Sequence, residues 1–213
     1  MSTTTPPSTR APKKSKIVVW TVLAAVILAA IVGYVLARGS SGTATASATT
    51  DGQVVRENSR VLSQAPDEKA VLVEFLDFEC ESCRAAYPFV EELRGKHSEN
   101  FTFVHRYFPL PGHRNSMNAA VVVEAAAEQG AYEPMYKRMF ETQAQWGESA
   151  ENKSAVFRTF AEDLGLDLAA YDHAVADPSV RARVEADVAD GKALGVTGTP
   201  TFFLDGKMLE VQS

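Results

Sequence analysis

The 213-residue chain is short of the residues that build metal centres and disulfide scaffolds, with only two cysteines and four histidines. Two cysteines exclude a framework of several disulfides. The histidines, His97, His105, His113 and His173, stand at no metal-ligand spacing from the cysteines. A metal site within one chain therefore lacks ligands, while one bridging two subunits stays open. Positive charge is also in deficit, with 21 Lys and Arg against 27 Asp and Glu and a net charge of −6. Arg10, Lys13, Lys14 and Lys16 are the only charges in the first 37 residues, so the rest of the chain carries −10. That balance argues against nucleic acid as a partner. There is no internal repeat and no evident dimerisation segment, so a monomer is expected.

What is present divides the chain by composition. Residues 1–16 are rich in Ser, Thr and Pro, carry the four cations and no acid, and read as a disordered basic cytoplasmic tail. Residues 17–37 (IVVWTVLAAVILAAIVGYVLA) are uncharged and apolar. At about 1.5 Å per residue such a stretch is long enough to cross a bilayer core of roughly 30 Å. The flanking charges then predict a single-pass anchor in the cell membrane, with a cytoplasmic N-terminus and an extracytoplasmic catalytic domain. A cleaved signal peptide is the alternative, since small-residue sites occur at Ala44–Ala48, but its apolar region is usually shorter. Residues 38–53, rich in Gly, Ser, Thr and Ala, read as a flexible tether. Residues 54–213 are one domain's worth of chain.

Within that domain, residues 70–78 (AVLVEFLDF) form a short apolar run without helical spacing, which predicts a buried strand. A helix follows over about 80–96, then an aromatic and β-branched strand over 101–108, then the breaker Pro109-Leu110-Pro111-Gly112. Five helices are predicted between about 113 and 194, the last ended by Gly195. A strand over 201–204, the turn Asp205-Gly206 and a return arm over 208–211 close the order as a β-hairpin. Strand, helix, strand favours a parallel α/β unit.

The two cysteines are Cys80 and Cys83, written FECESC, at the start of the first helix. A thiol at a helix N-terminus faces free backbone N–H groups and the positive end of the helix dipole, which favour its thiolate. A second thiol one turn later is within reach of it. The pair is a redox couple or half a metal site; as a structural staple it would close too short a loop to constrain the unfolded chain much. Glu74, six residues earlier, is an acid inside an apolar strand, costly unless it has a task or a partner. Burial would raise its pKa towards neutrality, where a proton relay works best, and the plain alternative is a carboxylate paired with a lysine.

Strand–CxxC–helix, followed more than 100 residues later by Val196-Thr197-Gly198-Thr199-Pro200-Thr201-Phe202-Phe203, resembles the thioredoxin fold. With the intervening helical block it resembles the DsbA-like thiol–disulfide oxidoreductases of the membrane-anchored bacterial type, a thioredoxin core with a helical insertion. The resemblance implies Cys80 as an exposed nucleophile, Cys83 as a more buried resolving thiol and Glu74 as a proton relay. It implies Pro200 as a cis-proline facing the CxxC, beside which an extended substrate pairs, with Thr199 contacting the sulfurs. Glu81 and Ser82 would set the redox poise. No histidine stands in that dipeptide, and Glu81 and Glu79 place negative charge near the thiolate, so the expectation is an oxidant weaker than the family archetype. His113 is expected to shape the substrate surface or to cap the following helix. No dissociable cofactor is implied, because the electrons rest on the two sulfurs. The expected partners are exported cysteine-containing polypeptides and a quinone-linked membrane protein as reoxidant. A reductase or isomerase of the same fold, or a peptide- or metal-binding module, are the alternatives. The family usually ends in a further helix, which does not follow the hairpin here; either the member is trimmed, which predicts lower stability or a covering partner, or the chain is incomplete.

Overall fold

The computed structural model describes residues 52–210, whose elements belong to the compact unit Ala46–Leu209. The basic tail, the apolar stretch 17–37 and most of the tether lie outside the described residues. Among the described residues, no helix is long and apolar enough to cross a membrane.

Five strands form one mixed sheet in the order β1-β3-β2-β4-β5. They are β1 (Arg60–Ser63), β2 (Ala70–Leu76), β3 (Phe101–Tyr107), β4 (Thr201–Leu204) and β5 (Lys207–Met208). Helix α1 (Glu81–His97) joins β2 to β3, which pair in parallel with Glu74 opposite His105. Between β3 and β4 come α2 (Ser116–Ala127), α3 (Tyr132–Trp146), α4 (Ser154–Asp163), α5 (Leu168–Ala176) and α6 (Pro178–Ala193).

The central position of β2 explains its composition. It is hydrogen-bonded on both edges, parallel to β3 and antiparallel to β4, and six of its seven residues are buried. Alternate side chains serve opposite layers. Val73 and Phe75 join Val104, Phe108, Val196 and Phe203 in a core that α6 covers with Val188 and Leu194. On the other face Phe78 meets Tyr136 and Phe140 of α3, and Tyr87 of α1 stacks on Phe140 with ring centroids 5.4 Å apart. The aromatic residues Phe75, Phe78, Phe202 and Phe203 are all core, as their sequence pattern predicts.

Two local features set the loop that faces the cysteines. Helix α6 ends with Gly195 at φ +85°, a backbone region that suits glycine. Val196 N–H then donates to Gly191 O and Gly195 N–H to Lys192 O, the paired bonds of a Schellman ending. This aims residues 196–200 at the start of α1. Beyond β4, Asp205 and Gly206 both take positive φ, as a tight hairpin turn requires.

Three sequence expectations change. Strand β1 is absent from the predicted order; it pairs antiparallel with β3 through an irregular register. The hairpin's return arm is Lys207–Met208 rather than 208–211, with Leu209 N–H still donating to Phe202 O. Gly52 and Gln53, read as tether, are packed on the domain. A side chain at Gly52 would meet Asp190 O at 2.8 Å, and Gln53 O accepts from Arg106 at 2.7 Å.

Candidate active site

Cys80 occupies the N-cap of α1 in an extended conformation, and Cys83 lies in the first turn. Both carry free thiols. Cys83 is fully buried, and Cys80 is 7% exposed, which corrects the expected exposed nucleophile. The reason is the opposing loop. Cys80 Sγ donates to Thr199 O at 3.3 Å, and the Thr199–Pro200 bond is cis. Across 119 residues of chain, the sequence-predicted Cys80, Cys83, Thr199 and Pro200 are brought together.

The two thiols are electrostatically unlike. A hydrogen bond from the Cys83 thiol lowers the Cys80 pKa to about 5, against the opposing cost of burial. Thr199 and the N–H groups of Cys83 and Ser82 pull the same way. Burial pushes Cys83 well above the usual thiol range, and its bond to Cys80 adds to that; the Asp77 N–H, 3.4 Å from its sulfur, works against it. One sulfur is thus poised to attack or leave as an anion while the other holds its proton.

Glu74 lies on β2 and is buried. Burial raises its pKa to about 8, with the charge of Cys80 adding to the effect. Its neighbour is not a lysine but His105 of β3, whose Nε2 is 3.6 Å from Glu74 Oε2. Burial lowers His105 to about 3, so its imidazole is neutral at neutral pH. Its Nδ1 is 2.9 Å from Tyr132 Oη.

Glu79 and Glu81 do not both reach the thiolate as free charges. Glu79 is buried and accepts from Asn115 N–H at 2.6 Å, before α2. Glu81 shares a hydrogen bond with Glu148, which lowers Glu81 and raises Glu148. Ser82 is exposed. His113 is bound side chain to side chain, with Nδ1 2.6 Å from Asp77 Oδ2.

Sequence reasoning missed the residue that organises this corner. Asp77 follows β2 and is 1% exposed. Its carboxylate accepts from Glu79 N–H at 2.8 Å, Leu110 N–H at 2.9 Å and His113. Burial nevertheless raises its pKa to about 6. It also missed Gln143 of α3, whose Nε2 donates to Phe78 O at 2.7 Å and Cys80 O at 2.9 Å. The helical insertion thereby holds the CxxC loop by its carbonyls. The only sequence signals were polar residues at otherwise apolar positions. Among the described residues, no group of three His, Cys, Asp or Glu side chains is placed to hold a metal ion.

Fold and site together define the thioredoxin-like class built around a CxxC thiol pair, with a helical insertion between β3 and β4. The chain belongs to the family described as Thioredoxin, which matches residues 63–213. Among solved structures it is similar to a thioredoxin-like oxidoreductase from Silicibacter pomeroyi, 28% identical, with a TM-score of 0.61 over 72% of this chain and 84% of that one. BdbD from Bacillus subtilis in its oxidised form is 17% identical, with a TM-score of 0.64 over 75% and 88% of the two chains. MdbA, a thiol–disulfide oxidoreductase from Corynebacterium diphtheriae, is 20% identical, with a TM-score of 0.60 over 77% and 89%. At these last two identities the likeness is one of fold.

The curated relatives carry another name. A Na(+)/H(+) antiporter NhaA 1 from Mycobacterium sp. (strain KMS) is 35% identical over 147 residues, 67% of this chain and 23% of its own length. A Na(+)/H(+) antiporter NhaA from Herminiimonas arsenicoxydans is 35% identical over 143 residues, 67% and 22%. The chain thus spans under a quarter of those relatives. These findings overturn the localisation expected from the sequence. The matched relatives are named as antiporters rather than as single-pass anchored oxidoreductases.

Proposed function

We propose that this protein exchanges disulfides with cysteine-containing polypeptides through the Cys80–Cys83 couple, in oxidative protein folding. The observation that carries the proposal is the meeting of Cys80 Sγ with Thr199 O at 3.3 Å beside cis-Pro200, with an acidic Cys80 and a buried, proton-holding Cys83. In the oxidising direction a substrate thiolate attacks Cys80 Sγ of the disulfide. The Cys80–Cys83 bond breaks and Cys83 leaves, taking a proton that Glu74 is placed to supply. A second substrate thiolate then attacks the substrate sulfur of the mixed disulfide, and Cys80 leaves as a thiolate. Two electrons pass to the protein, and a quinone-linked membrane protein is the proposed acceptor that removes them.

A Cys80 pKa of about 5 lies between the thioredoxin value of about 7 and the DsbA value of about 3.5. The proposed activity is therefore that of an oxidant weaker than the strongest of the family. A reduction potential nearer −120 mV than about −270 mV supports oxidation over reduction. Cys83→Ser is the direct test. It should accumulate mixed disulfides between Cys80 and polypeptide substrates. A chain that traps none, while Cys80 still reacts with a small alkylating reagent, refutes the exchange function.

A further inference from the structure

The dipeptide between the cysteines, Glu81-Ser82, contains no cation, yet the thiolate that α1 favours would gain from one. A candidate held in place by hydrogen bonds comes from a different element. His113 stands in the loop between β3 and α2, with its backbone fixed at both ends. His113 N–H donates to Leu110 O at 3.1 Å, and Ser116 Oγ donates to His113 O at 3.2 Å. Its ring is fixed by the 2.6 Å contact to Asp77. Asp77 in turn touches both halves of the thiol pair, since Cys80 N–H donates to Asp77 O at 3.2 Å and Asp77 N–H donates to Cys83 Sγ at 3.4 Å. One residue therefore joins the imidazole to the CxxC loop.

We propose that His113, held on Asp77, is the cation that stabilises the Cys80 thiolate, doing from the β3–α2 loop what the Glu81-Ser82 dipeptide leaves undone. The proposal rests on the thiol-exchange reading and makes His113 a positioning residue for it, acting on charge rather than on the sulfur directly. The surroundings favour a protonated ring. Asp77, Cys80 and Glu79 face it from the CxxC loop, and Glu81 and Glu148 act on it from the start of α1 and the end of α3. Glu185 and Lys192 of α6 share with it the wall of an open groove of about 510 Å³. Lys192 is the one cation among these groups. Burial works against protonation of His113, but the hydrogen bond and charge of Asp77 and the charge of Cys80 raise its pKa. The side chain is 27% exposed, so protons exchange with water through the groove.

The coupling is reciprocal: whatever Cys80 does to the proton affinity of His113, His113 does to that of Cys80. Two electrons from a substrate dithiol break the Cys80–Cys83 bond and leave the substrate as a disulfide. Cys83 takes one proton, and Cys80 stays a thiolate. His113 takes a second proton from water in those molecules where it was neutral before reduction. Reduction of the couple thus gains a further proton dependence at pH values around the His113 pKa.

The test uses the full chain. His113→Gln keeps a donor for Asp77 and removes the charge. Titrating the Cys80 thiolate by its ultraviolet absorbance should show its acidity reduced about three- to tenfold. The equilibrium with a glutathione buffer should shift towards the disulfide by the same factor, tenfold being about 30 mV. His113→Lys should restore both. An unchanged titration in a folded His113→Gln chain overturns the proposal. So does a shift that His113→Lys fails to reverse, since that would assign the effect to geometry rather than charge. If His113→Gln does not fold, nuclear magnetic resonance of the His113 ring in the unaltered protein decides. The ring must titrate at higher pH in the reduced than in the oxidised form, and equal titration overturns the idea. All these readouts are taken at equilibrium without a protein substrate. The trapping test on Cys83→Ser can therefore fail while they succeed, or the reverse.

Discussion

Glu74 and His105 stand directly opposite each other on β2 and β3, both buried, with Oε2 and Nε2 3.6 Å apart. They are not an ion pair at neutral pH. Burial raises the carboxyl to about 8 and lowers the imidazole to about 3, so both are neutral across most of the range between. The relay proposed for Glu74 would thus start from a protonated carboxyl, which faces an imidazole nitrogen that has no other partner.

Glu74→Gln should therefore flatten the dependence of stability on pH. The folded pKa of Glu74 lies above its ordinary value. The stability linked to its proton is complete below about pH 4.5 and is lost as pH rises through about 8. Glutamine keeps the neutral form at every pH. The variant should be close to the parent at pH 4 and more stable by on the order of 3 kcal/mol at pH 9. Urea unfolding at the two pH values measures this, and parallel profiles would contradict it. His105 has the opposite sign. The stability linked to its neutral ring is complete above about 6.5 and is lost as pH falls towards 3.

Arg106 is fully buried on the other face of the sheet. It donates to Asp187 at 2.7 Å, Asp190 at 2.5 Å, and the carbonyls of Gln53 and Val54 at 2.7 Å each. Arg56 pairs with Asp190 as well. This arginine joins β3, α6 and the segment entering the domain. Arg106→Met removes a buried donor from Asp187, Asp190 and the carbonyls of Gln53 and Val54, while Asp187 keeps Tyr107 N–H and Arg183, and Asp190 keeps Arg56. It should cost about 3–5 kcal/mol, as breaking one side of a buried pair does. Limited proteolysis should also show earlier cleavage near residue 54. A loss under 1 kcal/mol would mean that water replaces the guanidinium.

Much of this was legible in the sequence, because the signals were local. The run around Glu74, the CxxC and the Gly-Thr-Pro segment each identify themselves within about ten residues, and the parallel order follows from strand, helix, strand. What was not legible depends on long separations. His113 meets Asp77 across 36 residues, Gln143 meets Cys80 across 63, and Arg106 meets Asp187 across 81. In sequence Gln143 and Arg106 are ordinary polar residues on a helix and a strand, and burial alone reveals that they have a task; His113 stands out as a candidate, but its partner Asp77 does not. Strand β1 escaped for another reason. Four residues on a sheet edge, with only Leu62 buried, carry too little pattern to be read. The buried position of Cys80 escaped because the residues that cover it arrive from the far end of the domain.

Gly191 shows how closely α6 must approach the sheet. A Cβ there would lie 2.6 and 2.7 Å from two ring carbons of Phe108 and 3.1 Å from Phe75. Both rings belong to the core and have no free direction to move. Gly191→Ala should destabilise the domain by about 1–3 kcal/mol, although alanine is the better helix former. Because α6 leads into the loop bearing Thr199, the Cys80 titration should broaden or shift as well. Thermal unfolding checks the first effect, and a rise in melting temperature would contradict it.

The acidity of Cys80 depends most on its partner. The Cys83 thiol donates to the Cys80 thiolate, and that bond is the largest single cause of the fall to about 5. Backbone N–H groups and Thr199 remain when Cys83 is replaced, while the burial that opposes the anion also remains. Cys83→Ala should therefore raise the Cys80 pKa, bringing it closer to an ordinary thiol without reaching it. Cys83→Ser, whose hydroxyl still donates, should raise it less. The order parent, serine, alanine is read from the pH dependence of alkylation of Cys80, which follows the thiolate fraction. The same variants separate two sources of stability. The folded pKa of Cys80 is depressed, so the stability it lends the reduced form is present at alkaline pH and is lost as pH falls through about 5. In the alanine variant that loss should be smaller and complete at higher pH. If alanine and serine titrate alike, the helix N-terminus and the Thr199 loop set the acidity of Cys80, and the neighbouring thiol does not.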